Sequence, residues 1–305
     1  MIIVTANVHP YLIETLQQQG HEVLYAPEIS YEELSQKVEN ATGLVVTTRI
    51  CVDRQLIDKA NSLKWIGRLG SGLELIDIDY AASRNILCVS TPEGNSNAVA
   101  EHAMGMLISL MKNISKSNAE VKNGVWIRDE NRGIEISGKT VGIIGYGNTG
   151  MAFTKLLSSF DVTVLAYDKY KTDFGNQNVR EANLDQLCRY CDIISFHVPL
   201  TNETRYMADE KFFNALARYP YIINTSRGEV IHTASLINAL TTKKIAAAAL
   251  DVLENEKINH LSAAEQTEFN FLNSQPNVLV TPHIAGYSNE AFVRMGRILI
   301  EKLDL

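Results

Sequence analysis

Four residues with chemically useful side chains each follow a short apolar run: Arg227 in "NTSRGE", Asp251 and Glu256 in "LDVLENE", and His283 in "TPHIAG". If those runs are strands of an open α/β sheet, the residues gather at the carboxyl edge, where such sheets bind ligands. The set comprises an anion clamp, a polar contact for a cofactor, a carboxylate and an imidazole. An arginine can grip a carboxylate through two parallel N–H bonds and polarise the carbonyl next to it. A histidine can give the proton that a forming alkoxide requires, and a nearby carboxylate favours the charged imidazole. Hydride transfer to a 2-oxo acid fits that combination. Taken singly, each residue has a plainer reading as a satisfied structural histidine or a solvated charge, so the weight lies on their shared location.

A source of hydride is suggested by "VGIIGYGNTG". Gly145, Gly147 and Gly150 form G-x-G-x-x-G between an apolar run and the helical pattern "TGMAFTKLLSSF", and the next apolar run ends at Asp168. That acid lies 18 residues beyond Gly150 and 23 beyond Gly145, bracketing the roughly 20 expected of a dinucleotide-binding turn. Gly145 would make the turn, Gly147 would admit the pyrophosphate, and Gly150 would let helix and strand approach. The amides of Asn148 and Thr149 would face the phosphates. Asp168 would accept from a ribose 2′-hydroxyl and repel a 2′-phosphate, favouring NAD over NADP, with Lys169 and Lys171 weakening that preference a little. A structural turn with a chance acid is the alternative.

The elements that must position these groups read as two successive α/β series. Strands are expected at "MIIVTA", "EVLYA", "GLVVTT", "LKWIGRLG" and "ILCVS", alternating with helical patterns such as "YLIETLQQQG" and "YEELSQKV"; this alternation argues a parallel sheet covered on both faces. One long helix is expected over 95–118, followed by an irregular polar stretch in which Trp126 stands isolated. Six further strands are expected at "TVGIIG", "VTVLAYD", "DIISFHV", "YIINTS", "IAAAALDV" and "NVLVTP", which matches a doubly wound dinucleotide-binding domain. The amphipathic "NEAFVRMGRILIEKL" is too short to be a domain and is expected to dock on the first series.

Composition bounds the rest. With 305 residues, 46% hydrophobic and 21% charged, the chain has the profile of a two-domain globular protein. A net charge of −7 and no Lys/Arg block argue against a nucleic-acid partner. No apolar run has the roughly 18 residues of a membrane span and the first residues do not read as a signal peptide, so a cytoplasmic location is expected. Cys188 and Cys191 form C-x-x-C at the end of a helical pattern and are read as buried filler rather than a redox pair. No metal site is expected.

The strings "GRLGSGLELIDID", "NSNAVAEHAMGMLISL", "GIEISGKTVGIIGYGNTG", "HVPLTNETRYM", "NTSRGEVI", "ALDVLENE" and "TPHIAGYSNEA" resemble, in order, those of the D-isomer-specific 2-hydroxyacid dehydrogenases, most of all the phosphoglycerate dehydrogenase branch. The resemblance implies an α/β fold of two doubly wound parallel-sheet domains. A Rossmann NAD-binding domain, 95–286, would be inserted into a flavodoxin-like substrate domain, 1–94 and 287–305, the two closing on substrate. It also implies catalytic roles for Arg227 as carboxylate clamp, Glu256 as the acid after "LDV" and His283 as general acid/base. Cofactor contacts would come from the glycine turn, Asp168, the strand end His197, Val198 and Pro199, then Thr225, Ser226, Arg227, Asp251, His283 and Gly286. Ser71 and Gly72 match a loop whose amides hold the substrate carboxylate. Family members are usually homodimers, joined by the long helix and the Trp126 region.

For the substrate, Arg49 resembles a phosphate-binding arginine of that branch, and Arg128 falls where a basic residue reaches across the dimer. Thr47 stands where a second arginine is found, and Arg68 could compensate. These features favour 3-phosphoglycerate/3-phosphohydroxypyruvate, a step of serine biosynthesis, over hydroxypyruvate or glyoxylate. The chain stops at Leu305, leaving no room for the C-terminal regulatory domain of longer members, so indifference to free serine is expected. Lys257 replaces a frequent proline after Glu256, so a looser loop is expected there. A non-enzymatic alternative is an NADH-sensing corepressor-like protein, which the same fold supports in some relatives.

Overall fold

The computed structural model describes residues 1–305 as two compact units, Met1–Ala98 with Gly286–Leu305 and Val99–Ala285. The first unit runs β1 (Ile2–Val4), α1 (Pro10–Gln18), β2 (Val23–Tyr25), α2 (Tyr31–Lys37), β3 (Gly43–Val46), α3 (Arg54–Lys59), β4 (Trp65–Arg68), α4 (Ile78–Ser83) and β5 (Leu87–Ser90). All five expected strands form, in one parallel sheet of order β2-β1-β3-β4-β5. Every residue of β1 and β3 is buried, the continuous apolar pattern of a parallel strand covered on both faces. Local chemistry sets the helix starts. Pro10 opens α1 where its missing N–H costs nothing, and Ser30 and Glu33 close a reciprocal capping box on α2.

The expected single helix over 95–118 is instead two. Helix α5 (Pro92–Met111) holds the boundary between the units and ends before Asn113, which adopts φ +53°; α6 (Ile114–Lys122) follows that break. The periodicity hid the break because Asn tolerates the left-handed region with little strain. The segment after Trp126 fixes the break from outside. Ile134 donates to the Met111 carbonyl at 2.8 Å, and a Cβ on Gly133 would come within 2.8 Å of Lys112 Cα.

The second unit continues through β6 (Thr140–Ile144), α7 (Asn148–Leu157), β7 (Thr163–Tyr167), β8 (Arg180–Glu181), α8 (Leu184–Tyr190), β9 (Ile193–Phe196), α9 (Glu210–Ala215), β10 (Tyr221–Asn224), α10 (Thr233–Thr241), β11 (Ala247–Leu250), α11 (Ala263–Ser274) and β12 (Val278–Val280). The sheet is all parallel, of order β12-β11-β10-β9-β6-β7-β8, with the chain reversing direction across the sheet between β6 and β9. It has seven strands rather than six. The addition, β8, is two exposed charged residues at the edge, a place where polar residues blunt further pairing and no apolar alternation marks a strand.

Helix α12 (Asn289–Leu303) returns to the first unit, as its amphipathic pattern implied. Close approach is possible because glycines face it: a Cβ on Gly67 would lie 2.6 Å from Leu299 Cδ1, and one on Gly94 would lie 2.9 Å from Met295 Cα. Lys302 pins the far end on Glu93 at 2.8 Å. Leu299 is 1% exposed. Leu299→Ala is therefore expected to cost about 2–5 kcal/mol, seen as a lower melting temperature by calorimetry; an unchanged melt would contradict this packing.

Candidate active site

The register of the second sheet brings the strand ends level. Tyr167, Ile144, Phe196, Asn224, Leu250 and Val280 are paired in succession across β7, β6, β9, β10, β11 and β12. The residues one step beyond are Asp168, Gly145, His197, Thr225, Asp251 and Thr281, all of which the sequence flagged singly or within a quoted string. Bonds that prolong the ladder hold them in line: Gly145 to Tyr167 O at 2.8 Å, His197 to Ile144 O at 2.7 Å, Asp251 to Asn224 O and Thr281 to Leu250 O, both at 2.9 Å.

The glycine turn has the geometry a dinucleotide needs. Gly145 takes φ +95°, and a Cβ there would meet the His197 carbonyl oxygen at 2.5 Å; a Cβ on Gly150 would meet the Gly145 oxygen at 2.1 Å. A Cβ on Gly147 would meet nothing within 4 Å. Two of these glycines are thus demanded by the protein's own packing, and the third faces open space where a phosphate could approach. Asn148 and Thr149 open α7, with Gly147 as its cap, so their amides lack intrahelical acceptors. Asp168 accepts from the amides of Tyr146 and Tyr170, each at 2.9 Å, and of Lys171 at 3.2 Å. Those bonds orient its carboxylate and leave lone-pair capacity for a ribose hydroxyl. The Thr225 hydroxyl is buried with no partner, an unusual state for a buried polar group and one a ligand could relieve.

His197 is enclosed against Phe153, with ring centroids 5.4 Å apart, and its Nε2 meets Ser195 Oγ at 2.9 Å. Burial pushes its imidazole down to about 3, so it is neutral near pH 7 and shapes the wall of the turn. Val198 Cγ1 flanks Gly145, and Pro199 is exposed with its carbonyl bonded to Thr204.

The candidate acid–base pair stands on the neighbouring loops. His283 Nδ1 lies 2.9 Å from Glu256 Oε2, with side chains 39% and 44% exposed. His283 Nε2 is left without a protein partner. The His283 backbone adopts φ +54°, a left-handed conformation that costs a non-glycine residue about 1–2 kcal/mol. It is held there by bonds from its amide to the oxygens of Asp251 and Thr281, at 2.8 and 3.0 Å. Asp251 completes the clamp: its fully buried carboxylate accepts from Thr281 Oγ1 at 2.6 Å, Ile284 N at 2.9 Å and Ala285 N at 2.8 Å. Asp251 was singled out as a cofactor contact, and in this structure its carboxylate is occupied in shaping the histidine loop.

Arg227 is part-buried just beyond β10, donating from Nη1 to the Ser226 carbonyl at 2.7 Å. Asn224 sets that turn, accepting from the Ser226 amide and hydroxyl and donating to the Arg227 carbonyl at 2.9 Å. A Cβ on Gly228 would lie 1.9 Å from the Leu253 carbonyl oxygen, so glycine alone lets the arginine loop touch the loop bearing Glu256. That loop is restrained where Lys257 stands in place of a proline: Asn255 accepts from the Lys257 amide at 3.0 Å and donates to Glu265 at 2.9 Å. Hydrogen bonds from Ser262 and Asn255 hold the Glu265 carboxyl down to about 2.

The remaining expected positions are not strand-end residues of the second sheet, and several belong to the first unit. In the first unit Arg49 donates through Nη2 to the Thr5 and Ile29 carbonyls, at 2.9 and 2.6 Å, leaving Nε and Nη1 available. Ser71 is exposed and Gly72 part-exposed in the loop after β4, while Gly286 belongs to the first unit, against Asn95. Arg128 is exposed in the second unit with no ion-pair partner. Cys188 and Cys191 are buried, and burial raises their thiols to about 11 and about 12, as inert filler should be. No group of ligands for a metal is present. The sequence reading missed His102, whose Nε2 meets Thr281 Oγ1 at 3.0 Å and lies 3.6 Å from Asp251; its place beside Glu101 in the small and apolar stretch "AVAEHAMGMLI" was the available signal.

The two kinds of glycine can be told apart by substitution. Gly150→Ala is expected to cost about 1–3 kcal/mol of stability and to weaken dinucleotide binding with it. Gly147→Ala is expected to keep the wild-type melting temperature while weakening NADH binding by roughly tenfold or more, about 1.4 kcal/mol, in a fluorescence titration. Equal loss of stability in both would contradict the assignment.

Comparison with known proteins agrees with this geometry. Residues 104–285 match the family model described as "D-isomer specific 2-hydroxyacid dehydrogenase, NAD binding domain". A D-3-phosphoglycerate dehydrogenase of Methanocaldococcus jannaschii is 36% identical over 99% of this chain, which spans 56% of that protein. A glyoxylate reductase of Thermofilum pendens is 35% identical over 90% of this chain and 80% of its own length. The structure of a D-lactate dehydrogenase from Aquifex aeolicus, complexed with NAD and lactic acid, superposes with a TM-score of 0.86 at 25% identity, covering 100% of this chain and 94% of that one. With the glycine turn, the level strand ends and the His283–Glu256 pair, these matches show that the chain belongs to the D-isomer-specific 2-hydroxyacid dehydrogenase family.

Proposed function

We propose that this chain is an NAD-dependent D-2-hydroxyacid dehydrogenase. The observation that carries the reading is the 2.9 Å His283–Glu256 pair, built on the same sheet edge as the glycine turn. Bound NADH supplies the hydride. Arg227 holds the carboxylate of the 2-oxo acid and polarises its ketone. His283, with Nδ1 turned to Glu256, presents Nε2 to the ketone oxygen and gives it a proton; in the oxidative direction the same nitrogen takes the proton back. Glu256 balances the charge that the imidazole carries before donation.

For the substrate we favour 3-phosphohydroxypyruvate, reduced to D-3-phosphoglycerate, with hydroxypyruvate or glyoxylate as runner-up. Arg49 keeps three N–H donors free beside the end of β1, next to the β1–β3 switch of the first sheet, a place where ligands bind in such sheets. The amides of Ser71 and Gly72 are assigned to the substrate carboxylate. Arg128, exposed and unpaired, suits a role toward a partner subunit. A homodimer formed through the second unit is supported by α6, which has no buried residue, and by exposed Ile114, Val121, Val125, Trp126, Ile127 and Ile134. Trp126 is 79% exposed, a large apolar surface that a partner would cover. No helix is long and apolar enough to cross a membrane, in keeping with work in the cytoplasm.

The test follows NADH absorbance with equal concentrations of phosphohydroxypyruvate, hydroxypyruvate and glyoxylate. The expected result is a higher kcat/KM for the phosphorylated acid, reduced about tenfold or more in Arg49→Ala, the loss of charge-assisted bonds. A preference for the small acids, unaffected by Arg49→Ala, would select the runner-up. NADH binding without turnover of any 2-oxo acid would favour a sensor and sink the enzymatic reading.

A further inference from the structure

Two lysines follow Asp168 in "YDKYK", where free cations would welcome a 2′-phosphate as readily as the acid would repel it. The structure shows both engaged. The Lys171 ammonium donates to the Tyr146 carbonyl, within the glycine turn, at 2.8 Å. The Lys169 ammonium is bonded to the Glu203 carboxylate, whose second oxygen accepts from Tyr170 Oη at 2.7 Å. Lys169 also lies 5.7 Å from the centre of the Tyr170 ring. The partners come from two strand ends: Lys169 and Tyr170 follow β7, Glu203 follows β9, and β6 with its glycine turn lies between them. Glu203 is itself held by its loop, its amide donating to Thr201 Oγ1 at 3.2 Å.

We infer that Glu203 is a specificity residue for the cofactor, a counterion that stops Lys169 from receiving a 2′-phosphate and so sharpens the preference for NAD that Asp168 sets. The inference rests on the dehydrogenase reading above. The four side-chain charges at this corner, Asp168, Lys169, Lys171 and Glu203, sum to zero; removing Glu203 leaves +1 beside the position where a 2′-phosphate would lie. Lys169 and Glu203 are each about half exposed, so solvent screens the pair and its effect on the selectivity is a few-fold rather than a thousand-fold.

The experiment measures Kd for NADH and NADPH by fluorescence titration of the purified full chain at low ionic strength, for the wild type, Glu203→Gln, and Glu203→Gln with Lys169→Gln. The Kd(NADPH)/Kd(NADH) ratio is expected to fall about two- to five-fold in Glu203→Gln and to return to the wild-type value or above when Lys169 is also replaced. The gain should vanish at high salt. An unchanged ratio in Glu203→Gln, or a fall that persists without Lys169, would overturn the inference and leave the dehydrogenase reading intact. Failure of the wild-type chain to bind either nucleotide would overturn the cofactor site itself, and this inference with it.

Discussion

The register of one parallel sheet governs what the second unit can do. Six strands end level, and the first residue past each end is a candidate site residue or the backbone that carries one. A slip of one residue in any strand would turn its terminal side chain to the other face. The register is fixed by burial: β9 and β11 are buried at every position and β6 at all but its first, Thr140. Apolar pattern and site geometry are in this sense one fact seen at two scales.

On that edge, the Asp251 carboxylate fixes the loop that carries His283. It is fully buried and accepts from one hydroxyl and two successive amides, which satisfies an otherwise costly buried charge. Those bonds, with two more donated by the His283 amide, sustain the left-handed backbone that aims the imidazole at Glu256. Backbone strain of this kind persists where surrounding contacts over-determine it. His102, bonded to Thr281 from α5, backs the same clamp. Gly228 plays the matching part on the other side, letting the arginine loop and the glutamate loop touch.

Much of this could be read before the fold was known. Runs such as "GLVVTT" and "DIISFHV" read as covered strands from their length and β-branched content, and each ended where a polar string began. The spacing from Gly145 to Asp168 carried the cofactor turn, and the motif strings pointed to Arg227, Glu256 and His283 as candidates beyond the ends of β10, β11 and β12. What the chain concealed were features decided by single contacts at a distance. Asn113 breaks a helix whose periodicity runs on undisturbed. Strand β8 has no apolar residue to announce it. Lys169 looked like a free cation until Glu203, 34 positions on, proved to hold it. The buried state of Asp251 was likewise invisible, because a carboxylate at a strand end reads as a ligand contact whether it faces solvent or its own loop.

The central claim is that His283, held by that loop and paired with Glu256, moves the proton. The most direct measurement is the single substitution His283→Ala, with steady-state turnover of the preferred 2-oxo acid and NADH affinity by fluorescence recorded on the same preparation. The account predicts a loss of kcat of about 10²–10⁴-fold, the usual contribution of a positioned general acid, with NADH affinity and melting temperature close to wild type. Full turnover in His283→Ala would contradict it and return the search for the proton donor to the other groups on this edge.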